Sequence, residues 1–168
     1  MGNDLKAIIF DFDGVIVESV NVKTEAFAKI YEQFGDEVVK KVVSHHLSHG
    51  GISRFVKFEL YHKEFLGIEL NKHQLDDLSN KFSKLVVKNV INAPYVNGAF
   101  EYIKTNYNKY KFYISTGTPK EEMIDILKRK KIDTYFHSVY GSPEKKSNHI
   151  KEIMMKTGYT KEEIIFIG

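Results

Sequence analysis

The apolar run Ala7-Ile8-Ile9-Phe10 reads as a short buried strand, yet no second strand pattern follows until Lys111-Phe112-Tyr113-Ile114. Everything between has helical spacing. Val22, Ala26, Phe27, Ile30, Tyr31 and Phe34 recur at three- and four-residue steps up to Gly35. Val38, Val39, Val42 and Val43 suggest a second helix, closed by the polar segment 44–51. Phe55, Phe58, Tyr61, His62 and Phe65 make a third, stopped at Gly67, and Leu75, Leu78, Phe82, Leu85 and Val86 a fourth, running to about Val90. After Pro94 the pattern alternates: helix 98–107, strand 111–114, helix 120–130, strand 136–140, helix 148–157, strand 164–167. Such alternation predicts a parallel sheet with helices on both faces. The expected organisation is one α/β core, residues 1–18 and 95–168, with an all-helical module, residues 19–94, inserted after its first strand.

The first strand runs directly into Asp11-Phe12-Asp13-Gly14. Residues two apart on a strand share a side, so two carboxylates are expected together at the strand's end, with Phe12 turned to the core. Gly14 lets the chain leave in a conformation that a Cβ resists. Paired carboxylates repel, and such a pair calls for a cation or a shared proton. In open α/β sheets, sites form at the carboxyl ends of strands, where Asp11, Thr116, Gly141 and Gly168 all stand.

Composition excludes several alternatives. The chain has no cysteine, so disulfides, thiolate metal sites and a cysteine nucleophile are ruled out. A net charge of +3 is too mild to imply nucleic acid, and the basic run Lys128-Arg129-Lys130-Lys131 reads as a solvated helix end. No apolar run is long enough to span a bilayer and no leader pattern opens the chain, so no membrane partner and a cytoplasmic location are expected.

The strand–DFDG pattern followed by a helical insert resembles the haloacid dehalogenase superfamily of phosphotransferases. It is most similar to the branch with a helical cap, which holds phosphoglycolate phosphatases and β-phosphoglucomutases. The resemblance implies a Rossmann-like core with a cap domain. It implies Asp11 as the nucleophile that forms an aspartyl-phosphate, and Asp13 as the general acid/base. It also implies Mg²⁺, held by the Asp11 side chain and the Asp13 backbone carbonyl. A second motif, a hydroxyl at the end of the next strand, selects Thr116, three residues before Pro119, with Ser115 as the alternative. Gly117 and Thr118 would bring backbone amides to the phosphate, while Thr118 caps the helix starting near Lys120. A third motif, a loop lysine after the following strand, selects Lys146, with Lys145 open. The segment Gly51-Ile52-Ser53-Arg54 matches a Gly-x-Ser-Arg pattern of cap loops in relatives acting on sugar phosphates. It points to Gly51, Ser53 and Arg54 as substrate-binding, with Lys57 one turn on. His45, His46 and His49 read as substrate-loop or surface histidines rather than a zinc set. The fourth motif, an acidic metal ligand after Gly-Asp, would begin where the chain stops at Gly168, so a truncated chain is expected.

The implied function is Mg²⁺-dependent hydrolysis of a small phosphorylated metabolite, such as a sugar phosphate or phosphoglycolate. The alternatives are a phosphosugar mutase of the same fold and a non-catalytic binding module.

Overall fold

The computed structural model describes residues 5–168. They divide into two compact units: the chain up to Glu18 together with Ala93–Gly168, and Ser19–Asn92. None of the helices among the described residues is long and apolar enough to cross a membrane.

The first unit is built on four parallel strands, β1 (Ala7–Phe10), β2 (Lys111–Pro119), β3 (Ser138–Ser142) and β4 (Ile164–Ile167), in the order β3-β2-β1-β4. Strand β1 is central, pairing Ala7 with Lys111 and Phe10 with Ile114 on one side, and Ala7 with Ile164 and Phe10 with Ile167 on the other. All four of its residues are buried, as expected of a strand flanked on both edges and covered on both faces. Ala7, Ile9 and Tyr113 form one face and pack against Ile153 and Ile150 of the helix Lys146–Thr157. Phe10 and Phe112 lie edge to face on the other, where Tyr102 of the helix Ala99–Asn106 stacks on Phe112.

The second unit holds four α-helices: Val20–Tyr31, Asp36–Ser48, Arg54–Tyr61 and Lys72–Asn92. In chain order these are α1 to α4, followed in the first unit by α5 (Ala99–Asn106), α6 (Lys120–Lys130) and α7 (Lys146–Thr157). Helix α1 packs on α2 and α4, and α3 on α4. Phe27, Tyr31, Phe58, Tyr61 and Phe82 form a buried aromatic core with ring contacts from 4.5 Å upward. A π-helical turn, His62–Leu66, extends α3 to Gly67, whose φ of 68° ends it in the left-handed region.

Four boundaries differ from expectation. Strand β2 continues through Thr116 to Pro119, because that segment stays extended and pairs with β3 at Pro119–Ser142. Strand β3 begins at Ser138, since Asp133–Tyr135 closes into a 3₁₀ turn first. Helix α7 starts at Lys146, two residues early, with Lys145 as its extended N-cap. Helix α2 runs on to Ser48, so His45 and His46 are helical rather than in a loop. The basic run is not wholly solvated either. Lys130 donates to the Ala93 carbonyl (2.9 Å) and lies over the Tyr95 ring, and burial lowers its pKa.

Gly141 is where β3 meets the β2–α6 connection most closely. A Cβ there would press on the Thr118 carbonyl and on the backbone of Lys120, neither a flexible side-chain tip. Replacing Gly141 by Ala should destabilise the fold by about 1–3 kcal/mol, read from chemical denaturation, because backbone rather than a rotamer must yield.

Two buried histidines give stability a pH dependence. His149 of α7 and His62 of the π-turn both have pKa values below the ordinary 6.5, chiefly through desolvation, with nearby backbone carbonyls opposing the shift. Unfolding restores the ordinary value, so as pH falls the unfolded chain takes up protons first. This contribution is complete above 6.5 and is lost as pH falls through 6.5 towards the folded-state values. The melting temperature should be level from pH 8 to 7 and fall between pH 6.5 and 5; a level profile down to pH 5 would contradict it.

Candidate active site

Asp11 stands one residue past β1, its amide still bonded to the Ile167 carbonyl at 2.8 Å. Its side chain continues the Ala7–Ile9 face, the face covered by α7. One carboxylate oxygen accepts from the Phe12 amide at 2.7 Å and the other from Lys146 Nζ at 2.5 Å. Lys146, the first residue of α7, lies over the Phe166 ring of β4. Asp11 and Lys146 are both largely shielded, so their attraction is screened less than at an open surface. Lys145 is exposed and only its carbonyl is engaged, accepting from the Asn148 and His149 amides.

Asp13 lies beyond the strand, in a tight turn. Gly14, with φ of 73°, donates to the Val17 carbonyl, and the Ile16 and Val17 amides return to the Phe12 carbonyl. This turn bridges Asp13 to Val17 and buries Ile16 and Val17. The positive φ is the conformation that Gly14 was expected to supply.

Strand β2 ends beside β1. Ser115 and Thr116 are both buried and, one apart on a strand, point to opposite faces. Ser115 Oγ lies 2.9 Å from His149 Nδ1, on the α7 side. Thr116 Oγ1 accepts from the Thr118 amide at 3.1 Å. That amide is therefore turned inward, and the N-cap of α6 is Pro119 rather than Thr118. Gly117 is half-buried between them. His149 Nε2 and Ser142 Oγ are buried without a hydrogen-bond partner, and the Gly141 carbonyl beside the ring favours its charged form.

The remaining predicted residues belong to the helical unit. Ser53 caps α3, accepting from the Phe55 amide at 3.4 Å, and Gly51 is exposed in the loop before it. Arg54 is buried: its guanidinium donates to Ser83 Oγ (2.7 Å) and the Ser79 carbonyl (3.4 Å) and lies 4.6 Å from the Phe82 ring. Lys57 is also buried, 2.8 Å from His46 Nδ1 and over the Phe27 ring. His46 is thus an interior residue, contrary to its reading as a loop or surface histidine. His45 bonds the Tyr61 hydroxyl at 3.1 Å and stacks on His49. Sequence reasoning missed the His46–Lys57 and Ser115–His149 pairs. Both join positions far apart in the chain, and no local spacing announces them.

Among the described residues no group of three or more His, Cys, Asp or Glu is arranged to hold a metal ion. The Asp11 carboxylate and the Asp13 backbone carbonyl, the expected ligands, are hard oxygens, and among the described residues no sulfur or nitrogen cage competes. That donor set fits a hard cation that keeps much of its water, as Mg²⁺ does.

Three similarities accompany this geometry. A Thermotoga maritima protein named phosphorylated carbohydrates phosphatase is 25% identical over 156 residues, 90% of this chain and 68% of its own length. A β-phosphoglucomutase structure from Clostridium difficile superposes with a TM-score of 0.77 at 18% identity, covering 98% of this chain and 76% of that one. The magnesium-bound HAD-hydrolase YfnB from Bacillus subtilis gives 0.66 at 16% identity, covering 99% and 80%. At these identities the two structures speak for the fold. The sequence pattern of haloacid dehalogenase-like hydrolases matches residues 8–168, and the chain belongs to that family of enzymes.

Proposed function

We propose that this chain hydrolyses a small phosphorylated carbohydrate through an aspartyl-phosphate on Asp11. The observation that carries the reading is the contact of Lys146 Nζ with Asp11 at the end of the central strand. Thr116 supports it from the end of the neighbouring strand, and the name of the Thermotoga maritima relative supports the substrate class.

The Asp11 carboxylate attacks phosphorus, and the bond from phosphorus to the carbohydrate oxygen breaks. Asp13, protonated, gives its proton to that leaving oxygen. Asp13, now a carboxylate, takes a proton from water, which attacks the aspartyl-phosphate, releases inorganic phosphate and restores Asp11. Lys146 holds the nucleophile in one orientation and offsets charge on the phosphoryl oxygens. The Thr116 hydroxyl accepts from the Thr118 amide, which leaves its own proton free to donate, and it is the proposed donor to a phosphoryl oxygen. Asp11 and Asp13 would hold Mg²⁺, whose charge would offset the repulsion between carboxylate and phosphate dianion. Arg54, with Gly51, Ser53 and Lys57, is the proposed contact for the rest of the substrate, through a planar fork suited to a second anionic group.

Phosphate release from an aryl phosphate and a panel of sugar phosphates, with and without Mg²⁺, tests this. Asp11→Asn should lower turnover by roughly 10³-fold or more while leaving the melting temperature within a few degrees. Asp13→Asn should cost about 10²–10⁴-fold, least with the best leaving group, since an aryl oxide needs little protonation. An active Asp11→Asn variant, or an inert wild type with Mg²⁺ across the panel, would overturn the reading. Isomerised sugar phosphate without phosphate release would assign a mutase instead.

Arg54→Ala should raise KM for the best sugar phosphate by about tenfold and barely alter KM for the aryl phosphate. Equal changes for both would remove its role in specificity.

A further inference from the structure

Lys146 reaches Asp11 only if α7 sits at the right height and rotation on the sheet. The contacts that hold α7 down, Ile150 and Ile153 on Ala7, Ile9 and Tyr113, are apolar and tolerate small sliding or rotation. A directional tie is needed, and the fold supplies one a single turn along the helix. His149, three residues after Lys146, meets Ser115 Oγ through Nδ1 at 2.9 Å, with both residues buried. Phe10 pairs with Ile114, so Asp11 and Ser115 each stand one residue past the same rung on adjacent strands. The first turn of α7 thus grips the two central strands at one level, Lys146 on Asp11 and His149 on Ser115.

We propose that the His149–Ser115 hydrogen bond is the positioning element for Lys146, fixing the register of α7 so that the ammonium stays on the nucleophile. Neither His149 nor Ser115 touches substrate; both act through Lys146. The proposal rests on the phosphatase reading above, because its readout is turnover. The bond has a cost that marks it as more than filler. His149 is buried with Nε2 lacking a partner, a desolvation penalty that an apolar side chain would avoid. A position that only needed packing would favour Leu or Met.

The test is a double-mutant cycle measured as kcat and KM with the best Mg²⁺-dependent substrate. Ser115→Ala removes the hydroxyl with little change of volume, and His149→Asn keeps an acceptor near the Nδ1 position. His149→Leu removes it and restores apolar packing. Ser115→Ala and His149→Leu should each lower kcat about tenfold with KM nearly unchanged, and His149→Asn should recover most of the loss. In a Lys146→Ala background, Ser115→Ala and His149→Leu should cause no further loss, because the group they position is gone. Should His149→Leu fail to fold, the Ser115→Ala arm decides alone. Losses that multiply with that of Lys146→Ala, or a Ser115→Ala effect confined to KM, would overturn the clamp while leaving the phosphatase reading intact. A wild type without turnover fails the phosphatase reading, and the clamp falls with it.

Discussion

In the proposed mechanism a carboxylate attacks a phosphate dianion, and the repulsion between them must be offset where the bond forms. Asp11 is presented by the central strand of a parallel sheet, the position least free to move, since β1 pairs on both edges and is buried on both faces. Lys146 is presented by the first turn of a helix lying on the same face as Asp11. Parallel topology brings these ends together. Every strand points its carboxyl end the same way, so β1, β2 and β4 deliver Asp11, Thr116 and Gly168 to one rim. Gly168 is packed closely enough that a Cβ on it would touch the Asp11 side chain.

The helical unit solves a different problem. Arg54 and Lys57 are cations inside an aromatic core, where an uncompensated charge is costly. Each lies over a ring, Phe82 or Phe27, and their polar partners include Ser79 and Ser83 for Arg54 and His46 for Lys57. These contacts hold both side chains in fixed rotamers, which reduces the entropy lost when such a group meets a ligand. The same packing means that Arg54 also contributes to stability, so its substitutions call for a comparison of substrates rather than a single rate.

The strands, the helical insert, Asp11 just past β1, Thr116 on β2 and a lysine shortly after β3 were legible because each depends on local period and order along the chain. What was not legible depends on pairing across the fold. The Ser-Thr-Gly-Thr-Pro segment carries turn residues, yet β3 holds it extended to Pro119. Lys145 and Lys146 are equivalent by composition, and only the start of α7 turns Lys146 inward. His46 looked like one member of a polar loop until α2 ran on and buried it against Phe27. The Ser115–His149 bond spans 34 residues and leaves no periodic trace.

The most direct test of the central claim is chemical trapping of the covalent intermediate. An acid quench during turnover, followed by borohydride reduction, converts an aspartyl-phosphate to homoserine, which peptide mass spectrometry locates by sequence. Homoserine at position 11, appearing only when phosphorylated substrate and Mg²⁺ are both present, is the predicted result. Reduction at another carboxylate, or none at position 11 while phosphate is being released, would contradict the account.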